Sequence, residues 1–362
     1  MRHVADSSHD AGPHLRRHQK QGDKQIFSQS FRQNLKQGLK QVLTGAYGLR
    51  GTEPGLSVLM YHRVSHDALL SVPPDVFEEQ MALLARDFEP ISLRSAVERL
   101  GRGDSCNGCV CVTFDDGFQD NWITAYPILD KYRIPATVFV ACDALTHGTL
   151  WFYAFDNAVF GAAAGEADLT AFGLGVHAWQ DAAGKMDAVG RVHARMKQLG
   201  HAELLSIVQA VAGAAGGGRI MMTPEECRAL AASGLVDIGA HTVSHPILTG
   251  LGDDDLLHEI MDGKSMLESM IGQEVALFSY PNGTARDFDD RVVDVVRRAG
   301  FGAAVTTIPG LNRAGANPFT LRRFDVTPGV YTGWSGYFSR GLFRSHVRGT
   351  LHAVTQKMTA AL

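Results

Sequence analysis

The stretch Val110-Cys111-Val112-Thr113-Phe114-Asp115-Asp116-Gly117 decides how this chain is read. An apolar run of strand length ends on two adjacent carboxylates and a glycine. Asp-Asp-Gly alone is most often a turn, because both residue types favour turns. Here the carboxylates close a run that reads as a buried strand, and α/β folds place their sites at such strand ends. Desolvated carboxylates need a compensating partner. The string LVDIGAHTVSH at 235–245 offers one, since it reads as a strand running into His241 and His245. Together the two strings present one carboxylate and two imidazoles to a divalent metal. A second carboxylate is left over as a base. That is the inventory of a hydrolase that makes its nucleophile from water.

Working outward, apolar runs alternate with helical patterns, the signature of a parallel α/β sheet. Strands are expected at 57–61, 109–114, 136–141, 236–240, 276–280, 302–306 and 320–326. Helices are expected at 75–86, 93–100, 121–132, 223–233, 254–271 and 287–299. Thr223-Pro224-Glu225-Glu226 has the chemistry of a helix start, and Gly234 and Gly300 are natural stops. Seven or eight β–α steps suit a barrel better than an open sheet. Residues 143–221 break the rhythm and read as an insertion with helices near 151–164, 186–199 and 202–212.

The 362 residues carry a net charge of −4, unevenly spread. Residues 1–50 hold nine basic and three acidic residues, and 331–362 hold four basic residues and no acids, which leaves −14 for 51–330. A negative body argues against nucleic acid, and basic ends suggest contact with something anionic. Residues 1–55 read as a polar tail plus a basic amphipathic helix near 25–43. In 331–362 a basic aromatic stripe runs from Trp334 to Leu351. Either helix could lie on a membrane surface or pack on the domain. Five cysteines leave one unpaired under any scheme and read as buried reduced thiols. The N-terminus has no apolar signal core and no run is long enough to span a membrane. The expected location is therefore cytoplasmic, with peripheral contact on the inner membrane face through the termini as one alternative and packing of those helices on the domain as the other.

Over roughly 56–330 the chain resembles the polysaccharide deacetylases, also called the NodB-homology domain or carbohydrate esterase family 4. The motifs follow in order: LSVLMYHRV at 56–64, VTFDDG at 112–117, PATVFV at 135–140, the 222–248 stretch around AHTVSH, LFSYPNG at 277–283 and LRRFDV at 321–326. The resemblance implies an α/β fold, a distorted (β/α)7-type barrel with a helical insertion and flanking terminal helices. It implies that Asp116, His241 and His245 hold a divalent metal, with zinc the default and cobalt, nickel or manganese as alternatives. It makes Asp115 the general base and points to Tyr280, Pro281 and Asn282 for the oxyanion. The usual Arg before the third-motif Pro and the usual Leu-x-His of the last motif are missing here. Both departures resemble a subgroup in which His62 of MYHRV protonates the leaving amine and Arg323 orients the base. Trp151, Phe152 and Tyr153 could stack on a sugar ring or simply pack. The implied activity is removal of N-acetyl groups from an amino sugar in a glycan or glycan precursor. The alternatives are a deformylase or deacetylase of a lipid-linked sugar or a small amide, or an inactive glycan-binding barrel.

Overall fold

The computed structural model describes residues 54–66, 70–150, 152–153, 165–170, 175–196, 199, 203, 206, 219–333 and 335–360. Seven parallel strands form the centre: β1 (Ser57–Tyr61), β2 (Cys109–Phe114), β3 (Ala136–Val140), β4 (Val236–Ala240), β5 (Leu277–Ser279), β6 (Ala303–Val305) and β7 (Phe324–Asp325). Their spatial order is β6-β5-β4-β3-β2-β1-β7. A parallel bridge between Val305 and Leu321 brings the two ends of this path together. The sheet thus curls into the expected distorted barrel. All residues of β1, β2 and β3 are buried. Strands covered on both faces must be apolar throughout, which is why they read as continuous runs rather than alternations.

Helices cover the outside, and their ends follow local chemistry. Helix Leu93–Arg102 starts on the Ser92 side chain and stops at Gly103, whose φ of 77° suits the left-handed cap. Helix Pro224–Ala231 opens on a complete capping box between Thr223 and Glu226. Helix Asp290–Arg298 starts on Asp289. All five cysteines are buried and free, and burial pushes the Cys142 and Cys227 thiols up to about 12.

Two sequence expectations are corrected. The insertion is not purely helical: strands Gly165–Leu169 and Gly175–Trp179 form an antiparallel hairpin before helix Ala182–Met196. The second strand alternates, with Val176 and Ala178 exposed and Trp179 buried, a period-two signal hidden in an Ala/Gly-rich stretch. The C-terminal segment is not one free helix. It comprises Pro328–Tyr331, Arg340–Val347 and Thr350–Ala360, broken at Gly349 where φ is 71°. Leu342, Phe343, Val347 and Leu351 are buried. Arg340 lies 3.0 Å from Glu79 and Arg344 pairs with Asp87, both on helix Pro74–Asp87. The apolar side of the stripe packs on the barrel, and two of its cations pair with barrel carboxylates. The candidate helix at 25–43 and Trp334 lie outside the described residues. Among the described residues no helix is long and apolar enough to cross a membrane.

Candidate active site

The carboxyl ends of the strands converge on one cavity of about 520 Å³. Ladder hydrogen bonds continue past the strands and set the positions there. The Asp115 N–H donates to Tyr61 O at 3.0 Å and the His241 N–H to Val140 O at 2.9 Å. His62, Asp115, Asp116, His241, His245 and Asn282 all line the cavity.

Asp115 and Asp116 separate immediately. Asp116 has φ of 75°, and Gly117 follows at 84°. A Cβ on Gly117 would sit 3.0 Å from Val140 Cγ1, so this turn needs glycine. Thr242 (φ 68°), His245 (61°) and Asn282 (57°) are also left-handed. With Leu70 (48°), which also lines the cavity, five of the six such non-glycine residues among those described belong to the site or its loops. Each such conformation costs about 1–3 kcal/mol and persists only where surrounding structure enforces it.

Asp116 Oδ1 lies 3.5 Å from His241 Nε2 and 3.6 Å from His245 Nε2. It is buried and has no hydrogen-bond partner. One ligand atom from each of the three residues falls within 4.8 Å of the others. An orphaned buried carboxylate oxygen between two imidazole nitrogens is a donor set that fits a divalent cation. The ring orientation agrees. His241 Nδ1 is 2.7 Å from the Ser279 carbonyl, so its proton belongs there and the Nε2 lone pair faces Asp116. Burial, reinforced by neighbouring His241, drops His245 to about 4, so this imidazole is neutral near pH 7. Burial also opposes a charge on His241, but Asp116 and Asp115 outweigh it and raise that ring.

The loop carrying both histidines is tied to Glu259. This buried carboxylate accepts from the Val243 and Ser244 N–H groups at 2.9 Å each and from Ser244 Oγ at 2.5 Å. It sits in a π-helical turn, His258–Asp262, within the long helix at 253–271. A second π turn, Asn121–Ala125, supplies Asn121, whose Nδ2 donates to the His62 carbonyl at 2.9 Å. Such turns often mark functional positions.

Asp115 is held from the other side. Arg323 is fully buried and donates from Nη1 and Nη2 to the two Asp115 oxygens at 2.7 Å each. Its remaining N–H groups reach Thr113 Oγ1 at 3.2 Å, Ser279 Oγ at 3.0 Å and Thr306 O at 2.9 Å. All five guanidinium donors are satisfied. Burial pushes the Asp115 carboxyl up, but the Arg323 charge and hydrogen bonds outweigh it and hold it well below the usual range. Arg322, by contrast, is exposed and reaches only Pro309 O.

The structure redistributes the other candidates. Tyr280 turns away from the cavity: its N–H donates to Val305 O, its hydroxyl to Phe319 O, and its ring stacks on Phe288. Pro281 is buried and has no N–H to offer. Asn282 remains in the cavity wall, fixed by Thr307 Oγ1 donating to its carbonyl at 2.6 Å. Trp151 lies outside the described residues. Of its neighbours, Phe152 lines the cavity with its ring 5.0 Å from that of His245, whereas Tyr153 is core against Phe118. Sequence reading missed Glu259, because an acid on a charged helix carries no signal. It also missed the cavity wall formed by Met186, Val189, Gly190 and His193. Their i, i+3, i+4, i+7 spacing would have marked a shared helix face.

The sequence model of the polysaccharide deacetylase family matches residues 102–150 and 207–304. These stretches contain Asp115, Asp116, His241 and His245, while His62 and Arg323 lie beyond them. The Bacillus subtilis protein YxkH, provisionally assigned as a polysaccharide deacetylase, is 25% identical over 277 residues, covering 76% of this chain and 72% of that protein. IcaB from Ammonifex degensii superposes with a TM-score of 0.55 at 21% identity, covering 82% of this chain and 98% of that one. The Streptococcus pyogenes deacetylase PplD, solved in complex with acetate, gives 0.52 at 18% identity, covering 79% and 97%. At these identities the structural likeness speaks to the fold.

Proposed function

Because the chain belongs to the polysaccharide deacetylase family of carbon–nitrogen hydrolases, we propose that it removes N-acetyl groups from an amino sugar in a glycan or glycan precursor, using a divalent metal held by Asp116, His241 and His245. The observation that carries this reading is the division of labour between adjacent carboxylates. Asp116 Oδ1 is left without a hydrogen bond between two imidazoles, while each Asp115 oxygen accepts one hydrogen bond from Arg323 and Oδ1 keeps a lone pair free for a proton. A metal bound there would polarise the amide carbonyl and acidify a water, and zinc suits the Asp-His-His set.

The chain's own residues do the rest. Asp115, kept ionised by Arg323, accepts the proton of the attacking water. The guanidinium fixes the carboxylate plane, so one geometry serves each turnover. His62 donates a proton to the departing sugar amine. Phe152 offers an aromatic face beside the reacting centre. The buried free thiols fit a reducing compartment.

The test is acetate release from N-acetylated oligosaccharides and sugar glycosides, with and without chelator. The reading expects release that stops on chelation and returns with added zinc. Release that persists undiminished after complete metal removal would refute metal dependence.

A further inference from the structure

The cavity above the catalytic carboxylates is more apolar than bare sugar recognition requires. Helix Ala182–Met196 lines it with Met186, Val189, Gly190 and His193, one helical face. Met60 and Leu70 contribute from a distant part of the chain, and Phe152 joins them. Leu70 and Met186 are 49% and 53% exposed, two of the five large hydrophobic side chains that stand exposed among the described residues. Exposed large apolar groups gathered at one cavity mark a place where an apolar partner is received.

Two further observations define that partner. No Lys or Arg lines the cavity among the described residues, whereas two carboxylates do. The metal triad and the Arg323-paired Asp115 account for both carboxylates, and away from them the described lining offers no Lys or Arg to pair with a phosphate on the aglycone. Gly190 sits in mid-helix, where Gly is unfavourable relative to Ala, yet an added Cβ would meet nothing within 4 Å. Packing does not demand glycine at this position. Its effect is to leave the cavity wall open by one side chain.

We propose that this cavity takes a terminal N-acetylated amino sugar bearing an uncharged hydrophobic aglycone, a glycolipid-type substrate, with the chain of the aglycone leaving past Leu70 and Met186. The proposal rests on the hydrolase reading for where the sugar sits, and adds the apolar group and its exit.

The experiment measures binding to the full-length chain in chelator, where turnover is absent. The probes are methyl and octyl N-acetyl-β-D-glucosaminide, the latter below its micelle concentration, and a chitin pentasaccharide. The octyl glycoside should bind at least fivefold more tightly than the methyl glycoside, and more tightly than the pentasaccharide. The ratio should fall at least threefold in Met186→Ser and in Leu70→Ser. These changes lie on separate elements, so misfolding of one leaves the other informative. An octyl-to-methyl ratio below fivefold, a ratio untouched by either folded variant, or tighter binding of the pentasaccharide would overturn the proposal. Metal-loaded protein assayed on the same glycosides separates the two readings. Absence of acetate release from all of them counts against the hydrolase reading, while the binding ratio decides the aglycone site.

Discussion

Arg323 reaches across 208 residues of sequence to grip both oxygens of Asp115 at 2.7 Å, inside a barrel where neither residue meets appreciable solvent. Such a pair is weak evidence of stabilisation, because desolvating two charges offsets much of their attraction. It is better understood as orientation: the bond network fixes the plane and the charge of the Asp115 carboxylate, the proposed base.

Arg323→Lys should therefore lower kcat at least tenfold more than Arg322→Lys, since an ammonium cannot reproduce the two parallel bonds. Arg323→Ala should also destabilise the fold by about 3–5 kcal/mol by stranding a buried carboxylate. The Asp115 carboxyl is depressed in the folded state, so its contribution to stability is present above the ordinary carboxylate range and is lost as pH falls through the folded value. Acid unfolding followed by circular dichroism should accordingly begin at higher pH in Arg323→Lys than in wild type. Equal kinetic effects at 322 and 323 would contradict the assignment.

His62→Ala should reduce kcat by roughly 10²–10⁴, the usual worth of a general acid, with metal content unchanged. The motivation is the place of His62 in the cavity wall, backed by Asn121. Steady-state kinetics with metal analysis on the same preparation check it. Near-normal kcat would make His62 structural.

Glu259→Gln should weaken metal affinity by about 10–100-fold without removing any ligand, because the loop bearing His241 and His245 loses a carboxylate that accepts three hydrogen bonds. Competition with a chromophoric chelator measures this. Unchanged affinity in a folded variant would show that the loop holds its shape unaided.

Much of this site is legible in the amino-acid sequence, for identifiable reasons. Asp115 and Asp116 close an apolar strand, and His241 and His245 follow another, so strand patterning alone locates them. Arg323 is legible only through family resemblance, since nothing in LRRF distinguishes a buried guanidinium from an exposed one. Tyr280 misleads because SYPNG sits at the right strand end, while the ring turns into the core against Phe288. The partners of Glu259 and the cavity that the Met186–His193 helix face lines are illegible for a shared reason. Each is made by loops and helices that meet only in three dimensions. The C-terminal stripe shows the limit of periodicity, which marks an apolar face but not what covers it.

The central claim is that Asp116, His241 and His245 form one metal site beside a base that does not bind metal. Elemental analysis after zinc loading and desalting tests it directly, applied to wild type, Asp115→Asn, Asp116→Ala, His241→Ala and His245→Ala. The account predicts about one zinc per chain in wild type and in Asp115→Asn, the latter without turnover, and little or none in the other three. Full zinc occupancy in His241→Ala, or loss of zinc in a folded Asp115→Asn, would contradict it.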